Sequence, residues 1–326
     1  MLVNPIDILS QFPVRKTKVQ KQAFRDAVQA YAKALGYPVS VEPGSFGSRN
    51  LVFGDPEQAR YLVTAHYDTC ARLWLPNLLT PFNPVLFALY QFLHGCLLIL
   101  PSFSAGFLVM LGVMFYVAFS GQDVAAIAHY GFLAFLGVYI PLAVLTLLLI
   151  YFGPANRNNA NDNTSGVVTL LEIARTMPEN QRHKVCFVLF DQEEKGLWGS
   201  RSYRRTHKER TDHQLILNLD CVGDGDHIRL IPTKTLRKDQ KKMTSMYKAC
   251  GYMGNKSILL QEKGWMHCAS DHKHFPWGVG IVALRKRRKL LYLSRIHTKK
   301  DTVLDINNVN ILRAALTTFI CCDEAN

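Results

Sequence analysis

The chain has 326 residues, enough for one large or two ordinary domains. A net charge of +13 at pH 7 invites a nucleic-acid partner, but no DNA- or RNA-binding motif carries the basic residues, so none is expected. Eight cysteines, at 70, 96, 186, 221, 250, 268, 321 and 322, form no CxxC pair and no spaced framework, which argues against a disulfide-stapled class and for reduced thiols.

Taken in order, the first twenty residues lack the apolar core of a signal peptide, so export of the N-terminal part is not expected. Residues 18–35 place Phe24, Ala27, Val28, Tyr31 and Leu35 at helical spacing, and Gly36 and Pro38 stop that helix. Residues 51–53 and 60–65 read as strands around the turn GDPEQA. Beyond a long apolar stretch, residues 164–175 read as a helix, and the apolar runs 184–190 and 214–219 as buried strands. Helices over 196–207 and 236–250, a strand over 279–284 and a closing helix over 307–321 complete the pattern. Alternating strands and helices predict an α/β fold, a mixed and mostly parallel sheet flanked by helices.

The apolar stretch interrupts that fold. Between Leu73 and Phe152 the only formal charge is Asp123, within the polar break SGQD. The mean hydropathy of +0.03 hides this division, since nearly all the charge lies outside the stretch. The domain plan is therefore a discontinuous domain, 1–72 and 153–326, with an inserted α-helical transmembrane segment, 73–152. A span needs roughly 17–25 apolar residues, and three candidates appear at 84–101, 105–119 and 131–152. Three crossings would put the two halves on opposite sides of a bilayer, so an even number is required. The first candidate carries Gln91 and His94, so the second and third are the expected spans, with the first interfacial or re-entrant. Four short crossings or a buried helical core are the alternatives. Arg72 and Arg157 flank the insert, and the loop between the expected spans has no Lys or Arg. The positive-inside rule then predicts a multi-pass membrane protein with its main domain facing the cytoplasm. The run RKRRK at 285–289 would suit either solvent or anionic lipid headgroups.

The chemistry-bearing residues fall in five short segments. They are His66 and Asp68 in AHYD, Asp162 in NDN, Glu193 and Glu194 in FDQEEKG, Asp220 in NLD, and His297 in RIHTKKD. Singly, each reads more readily as a surface turn, a helix start or a cap. Together they differ, because all the carboxylates except Asp162 closely follow a strand-like run, and ligands collect at the carboxyl ends of strands in open α/β sheets. Two imidazoles and several carboxylates at such an edge suit zinc, which takes nitrogen and oxygen ligands.

AHYD, the Asn-Asp-Asn-x-Ser-Gly segment, EE-x-GL-x-GS, NLD and IHT-x-x-DT stand in the order seen in the co-catalytic zinc aminopeptidases, and the chain resembles that family. The family also includes glutamate carboxypeptidases, glutaminyl cyclases and the transferrin-receptor ectodomain. The resemblance covers residues 15–72 and 155–322, leaving out only the insert. It implies a zinc-exopeptidase fold, a peptide substrate and two Zn2+ ions. His66 and Asp220 would hold one ion, Glu194 and His297 the other, and Asp162 would bridge both. Glu193 would be the general base and Asp68 would orient the His66 imidazole. Asp271 and His272, in ASDHKHF, match a family segment near the substrate pocket, and Asp301 is expected to buttress the His297 loop. The GL-x-GS continuation favours an aminopeptidase. A cyclase or carboxypeptidase on the same scaffold, or a silent membrane-presented binding domain, are the rivals. Side-chain preference and oligomeric state are not readable from these motifs.

Overall fold

The computed structural model describes residues 4–322. The outermost residues of the expected discontinuous domain, 1–3 and 323–326, lie outside that range. The described chain divides into two compact units, one running through Pro84 and resuming at Ala155, the other Val85–Pro154.

The first unit is built on a ten-stranded sheet. After a short α1 (Pro5–Gln11), helix α2 (Lys18–Ala34) starts at a capping box, in which Thr17 accepts from the Gln20 amide and Gln20 reaches back to the Thr17 amide. Phe24, Val28, Tyr31 and Ala32 of α2 are buried at helical spacing. Strands β1 (Val39–Pro43), β2 (Arg49–Phe53) and β3 (Tyr61–His66) follow. Beyond the second unit come α5 (Gly166–Thr176), β4 (Val185–Phe190), α6 (Trp198–Thr206), α7 (Lys208–Thr211) and β5 (Leu215–Leu219), where α3 and α4 denote the two helices of that unit described below. The chain then forms β6 (His227–Pro232), α8 (Gln240–Met246), β7 (Gly251–Met253), β8 (Lys256–Leu260), β9 (Gly278–Arg287), β10 (Leu290–Tyr292) and α9 (Ile306–Cys322).

The strand order is β1-β2-β4-β3-β5-β9-β6-β8-β7, with β10 paired to β9. The central strands β4, β3, β5 and β9 are parallel, and antiparallel pairs flank them, so the expected mixed α/β sheet is present. Every residue of β3, β4 and β5 is buried, as strands covered on both faces require. Alternation divides them cleanly. Val63, Phe187 and Leu217 join the core beneath α2, α5 and α9, whereas Leu62, Val188 and Ile216 pack on the other face with Tyr203 and Phe275. The stretch 236–250 is not one helix: α8 is bracketed by two single 3-10 turns. Asp239 causes the division, because its side chain caps α8 through the Lys242 amide and so starts a new helix.

The second unit holds two helices, α3 (Pro84–Phe119) and α4 (Val124–Phe152). This differs from the expected break near residue 101, since α3 runs through Pro101 without interruption. An apolar helix tolerates an internal proline where neighbouring groups can satisfy the freed backbone, and α4 likewise contains Pro141. The turn at 120–123 is where the helix stops, and Asp123 caps α4 by accepting from the Ala126 amide. At 36 and 29 residues, both helices are long and apolar enough to cross a membrane. They meet at Gly106, where a β-carbon would lie 3.1 Å from both Phe135 and Tyr139, and where Ser102 and Thr146 hydroxyls stand 3.5 Å apart.

Candidate metal centre

Three strand ends and two loops deliver the predicted residues to one place. His66 is the last residue of β3, Glu193 and Glu194 follow β4, and Asp220 follows β5. Asp162 lies in the irregular 160–165 turn and His297 in the loop before α9. Gln192, Cys221 and His297 adopt positive φ (57°, 57° and 62°), a conformation that non-glycine residues hold only when their surroundings dictate it. The surroundings are hydrogen bonds. Asp68 accepts from the Glu193 amide (3.0 Å) and the Glu194 amide (3.3 Å), and its Oδ1 lies 3.5 Å from His66 Nδ1. One carboxylate thus fixes the backbone of the paired glutamates and stands at ion-pair distance from the His66 imidazole.

The Asp162 turn is clamped on both sides. Asp301 accepts from the Asn161 amide (2.8 Å) and the Asp162 amide (3.1 Å). Its carboxylate therefore holds the Asp162 turn rather than the His297 loop, because the chain reversal after His297 brings it under residues 161 and 162. Asn163 donates to the Leu219 carbonyl (2.9 Å) and accepts from the Cys221 amide (3.2 Å), while Asn161 accepts from the Gly223 amide (2.7 Å). These bonds lock the Asp162 turn to the Asp220 loop. Gly166 permits the close approach, since a β-carbon there would lie 2.4 Å from the Leu219 carbonyl oxygen. A further chain orients Asp220: Thr64 donates to Asn218 (2.8 Å), Asn218 donates to Ser270 (2.7 Å), and Ser270 donates to Asp220 Oδ2 (2.5 Å).

At the centre, Asp162 faces two imidazoles at once. Its Oδ1 is 3.2 Å from His66 Nε2, and its Oδ2 is 2.9 Å from His297 Nε2. Asp220 Oδ1 lies 3.8 Å from His66 Nε2, and Glu194 Oε2 lies 3.3 Å from His297 Nε2. Donor atoms of His66, Asp162 and Asp220 fall within 4.8 Å of one another, as do those of His66, Glu193 and Glu194. Side-chain exposure is 29% at His297 and 13% at Asp220 but 1% at His66, so the cluster opens to solvent on the His297 side.

Burial and crowding of like charges set the electrostatics. Burial, reinforced by Glu194, Asp220 and Asp271, pushes the Glu193 carboxyl well above its usual range, although His66 opposes it. Burial raises Glu194 to about 8, with Asp162 adding to the shift and His297 opposing it. Asp162 moves the other way: burial opposes its ionisation, but His297 and His66 hold it well below the carboxylate range. Burial likewise disfavours a charged His297, yet Glu194 and Asp162 carry it to about 10. So many carboxylates around two imidazoles call for cationic partners. Glu194 Oε1 is buried with no hydrogen-bond partner in the structure. The donor set and that unsatisfied oxygen fit zinc.

All seven residues expected as metal ligands, base or imidazole-orienting acid therefore lie in one cluster. Asp271 joins it from the segment before β9: it is fully buried, and burial raises its carboxyl to about 7, with His66 opposing. His272 is placed differently. It lines a cavity of about 470 Å³ with Lys234, Arg237, Lys273 and His274, and burial and Lys273 lower it to about 4. Gly280 makes room for its ring, as a β-carbon there would stand 2.6 Å from His272 Cε1. Sequence reasoning missed Asn161, Asn163 and Ser270 as clamps, although Asn-x-Asn beside Asp162 was a visible signal. It also missed Cys70, whose Sγ lies within 4.8 Å of donor atoms of Glu194 and His297.

A model of peptidase family M28 matches residues 123–319. No curated protein sequence matches the chain significantly. Among solved structures, the chain is similar to a glutaminyl cyclase from Porphyromonas gingivalis (15% identity, TM-score 0.59, covering 98% of this chain and 96% of that one). It is also similar to a Zn-dependent exopeptidase from Parabacteroides distasonis (16%, TM-score 0.57, 97% and 95%). A third is the LapA aminopeptidase of Legionella pneumophila (12%, TM-score 0.55, 99% and 70%). At these identities the likeness is one of fold.

Proposed function

Because the chain belongs to peptidase family M28, we propose that it is a membrane-anchored zinc aminopeptidase that hydrolyses N-terminal peptide bonds. The observation that carries the reading is the Asp162 carboxylate, with one oxygen toward each of the two imidazoles. In this reading His66 and Asp220 would hold one zinc ion, Glu194 and His297 the other, and Asp162 both. Bound there, the metal would supply acidification of water and polarisation of a carbonyl oxygen. The chain's own residues do the rest. Glu193 stays free of metal, takes a proton on its carboxylate from the attacking water and returns it to the leaving amine. Asp68 keeps the His66 ring and the 193–194 backbone in register, and Ser270 does the same for Asp220. Peptide enters from the His297 side, with Asp271 beside the cluster, and His272, in the neighbouring cavity, is the second candidate for a substrate contact.

A second reading, glutaminyl cyclisation, draws support from Asp271. Raised to about 7 and buried beside Glu193, it is a second carboxyl able to carry a proton to departing ammonia. Product analysis separates the two. The full-length protein is incubated with aminoacyl and N-terminal glutaminyl peptides, with and without chelator. Free amino acid that disappears with chelator supports the aminopeptidase, whereas ammonia and a pyroglutamyl product overturn it.

The anchor is the α3–α4 hairpin, inserted into a discontinuous peptidase domain, 1–72 and 153–326. Its helices carry no Lys, Arg, Asp or Glu, and Leu, Phe and Val side chains are exposed along both. At about 1.5 Å per residue, either helix exceeds the roughly 30 Å hydrocarbon thickness. With Arg72 and Arg157 at its base, the hairpin crosses twice and leaves the peptidase domain in the cytoplasm. A reporter at residue 122 is expected outside the cytoplasm and reporters at both termini inside. Labelling of residue 122 from the cytoplasmic face would reverse this orientation.

A further inference from the structure

Of the eight cysteines, Cys70 alone shares a potential metal-binding cluster among the described residues. Its Sγ and donor atoms of Glu194 and His297 lie within 4.8 Å of one another. A zinc ion bonds sulfur at about 2.3 Å and nitrogen or oxygen at about 2.0–2.2 Å, so in tetrahedral geometry it holds such donors roughly 3.5 Å apart. Side-chain rotations that draw the three donors together by about 1 Å bring them onto one ion. The position is held firmly. The Cys70 carbonyl accepts from the Asn156 amide (3.0 Å), Ala71 bridges Ala155, and the Leu73 amide donates to the His297 carbonyl (2.8 Å). These bonds tie the cysteine and the histidine loop into one rigid unit.

A buried cysteine is most often a small apolar filler, and Cys186 is one here, packed with Val52, Leu62, Val188 and Ile216. Cys70 belongs to none of the three apolar clusters. Only 5% exposed, its Sγ lies within 4.8 Å of donor atoms of Glu194 and His297, and Glu194 also keeps a buried Oε1 without a partner. A ligand role accounts for a thiol among such groups.

We propose that Cys70 is a ligand of the metal ion held by Glu194 and His297, giving that position a thiolate, a carboxylate and an imidazole. This rests on the metal-centre part of the functional reading and not on the peptidase reaction itself. On binding, the Cys70 Sγ–H bond breaks, the proton leaves to solvent and a sulfur–metal bond forms. A soft sulfur donor biases the position toward zinc and cobalt and away from magnesium and manganese. The His66–Asp220 position, all nitrogen and oxygen, lacks that bias.

Cobalt reports the sulfur directly. Metal-free full-length protein in detergent is reloaded with two equivalents of Co2+, and its near-ultraviolet absorption is recorded. The wild type is expected to show a sulfur-to-cobalt charge-transfer band. Cys70→Ser is expected to lose the band and to bind zinc at one position roughly 10–100-fold more weakly, at least the scale for losing a supporting group at a metal site. Cys221→Ser and Cys268→Ser are expected to keep it. Absence of the band from fully loaded wild type, or its survival in Cys70→Ser, overturns the proposal. The wild-type spectrum decides even if Cys70→Ser does not fold, and Cys70→Ala provides a second variant. Peptide hydrolysis is scored separately. A band without hydrolysis keeps the ligand and removes the peptidase reading; hydrolysis without a band does the reverse.

Discussion

Asp162→Ala is expected to strip both metal ions from the protein and to reduce peptide turnover to background. Its two carboxylate oxygens face different imidazoles, at 3.2 and 2.9 Å, so it is positioned to serve both halves of the centre. Its loss also removes the negative charge that pairs His66 with His297. Asp220→Ala is expected to behave differently, because Asp220 approaches His66 alone, at 3.8 Å. Metal analysis of full-length protein should find none in the first variant and one equivalent in the second. Two equivalents remaining in Asp162→Ala would show that the carboxylate does not bridge. Metal loss should also lower thermal stability, since an ion bound only to the folded state stabilises it by about 2.7 kcal/mol at a hundredfold excess over its Kd. Chelator is therefore expected to reduce the melting temperature of the wild type while leaving that of Asp162→Ala unchanged.

How much of this centre was visible beforehand depended on where each residue stands. His66 ends, and Glu193, Glu194 and Asp220 follow, strands whose every side chain is buried, so short apolar runs mark them clearly. Asp162 follows no strand, and only the order of motifs pointed to it. The clamps are tertiary facts. Ser270 reaches Asp220 from fifty residues away, and Asn161 and Asn163 serve a loop beyond β5. No local pattern encodes such pairs. Asp301 is a tertiary clamp as well, since sequence neighbourhood to His297 says nothing of the turn that carries its carboxylate to the amides of residues 161 and 162. The edge strands β1, β7 and β10 are short and half exposed, which erased their periodicity, and Pro101 imitated a helix end inside α3. The expected spans, 105–119 and 131–152, differ from α3 and α4, because the apolar run gives no internal mark of where a helix begins.

Glu193→Gln is expected to retain both metals while losing at least about 10²-fold in turnover, the usual scale for a missing general base. The substitution preserves size and burial but removes the group that accepts a proton. Metal retention follows from the geometry, because His66, Asp162, Asp220, Glu194 and His297 supply the donors without it. Folding should also survive, since Asp68 holds residue 193 through its backbone amide, which glutamine keeps. Stability is therefore expected to stay close to that of the wild type, with KM little changed and the loss confined to kcat. That pattern separates a proton carrier from a ligand. If Glu193→Gln instead released a metal ion, residue 193 would be a ligand, and the assignment of Glu193 as base and Glu194 as ligand would have to be exchanged.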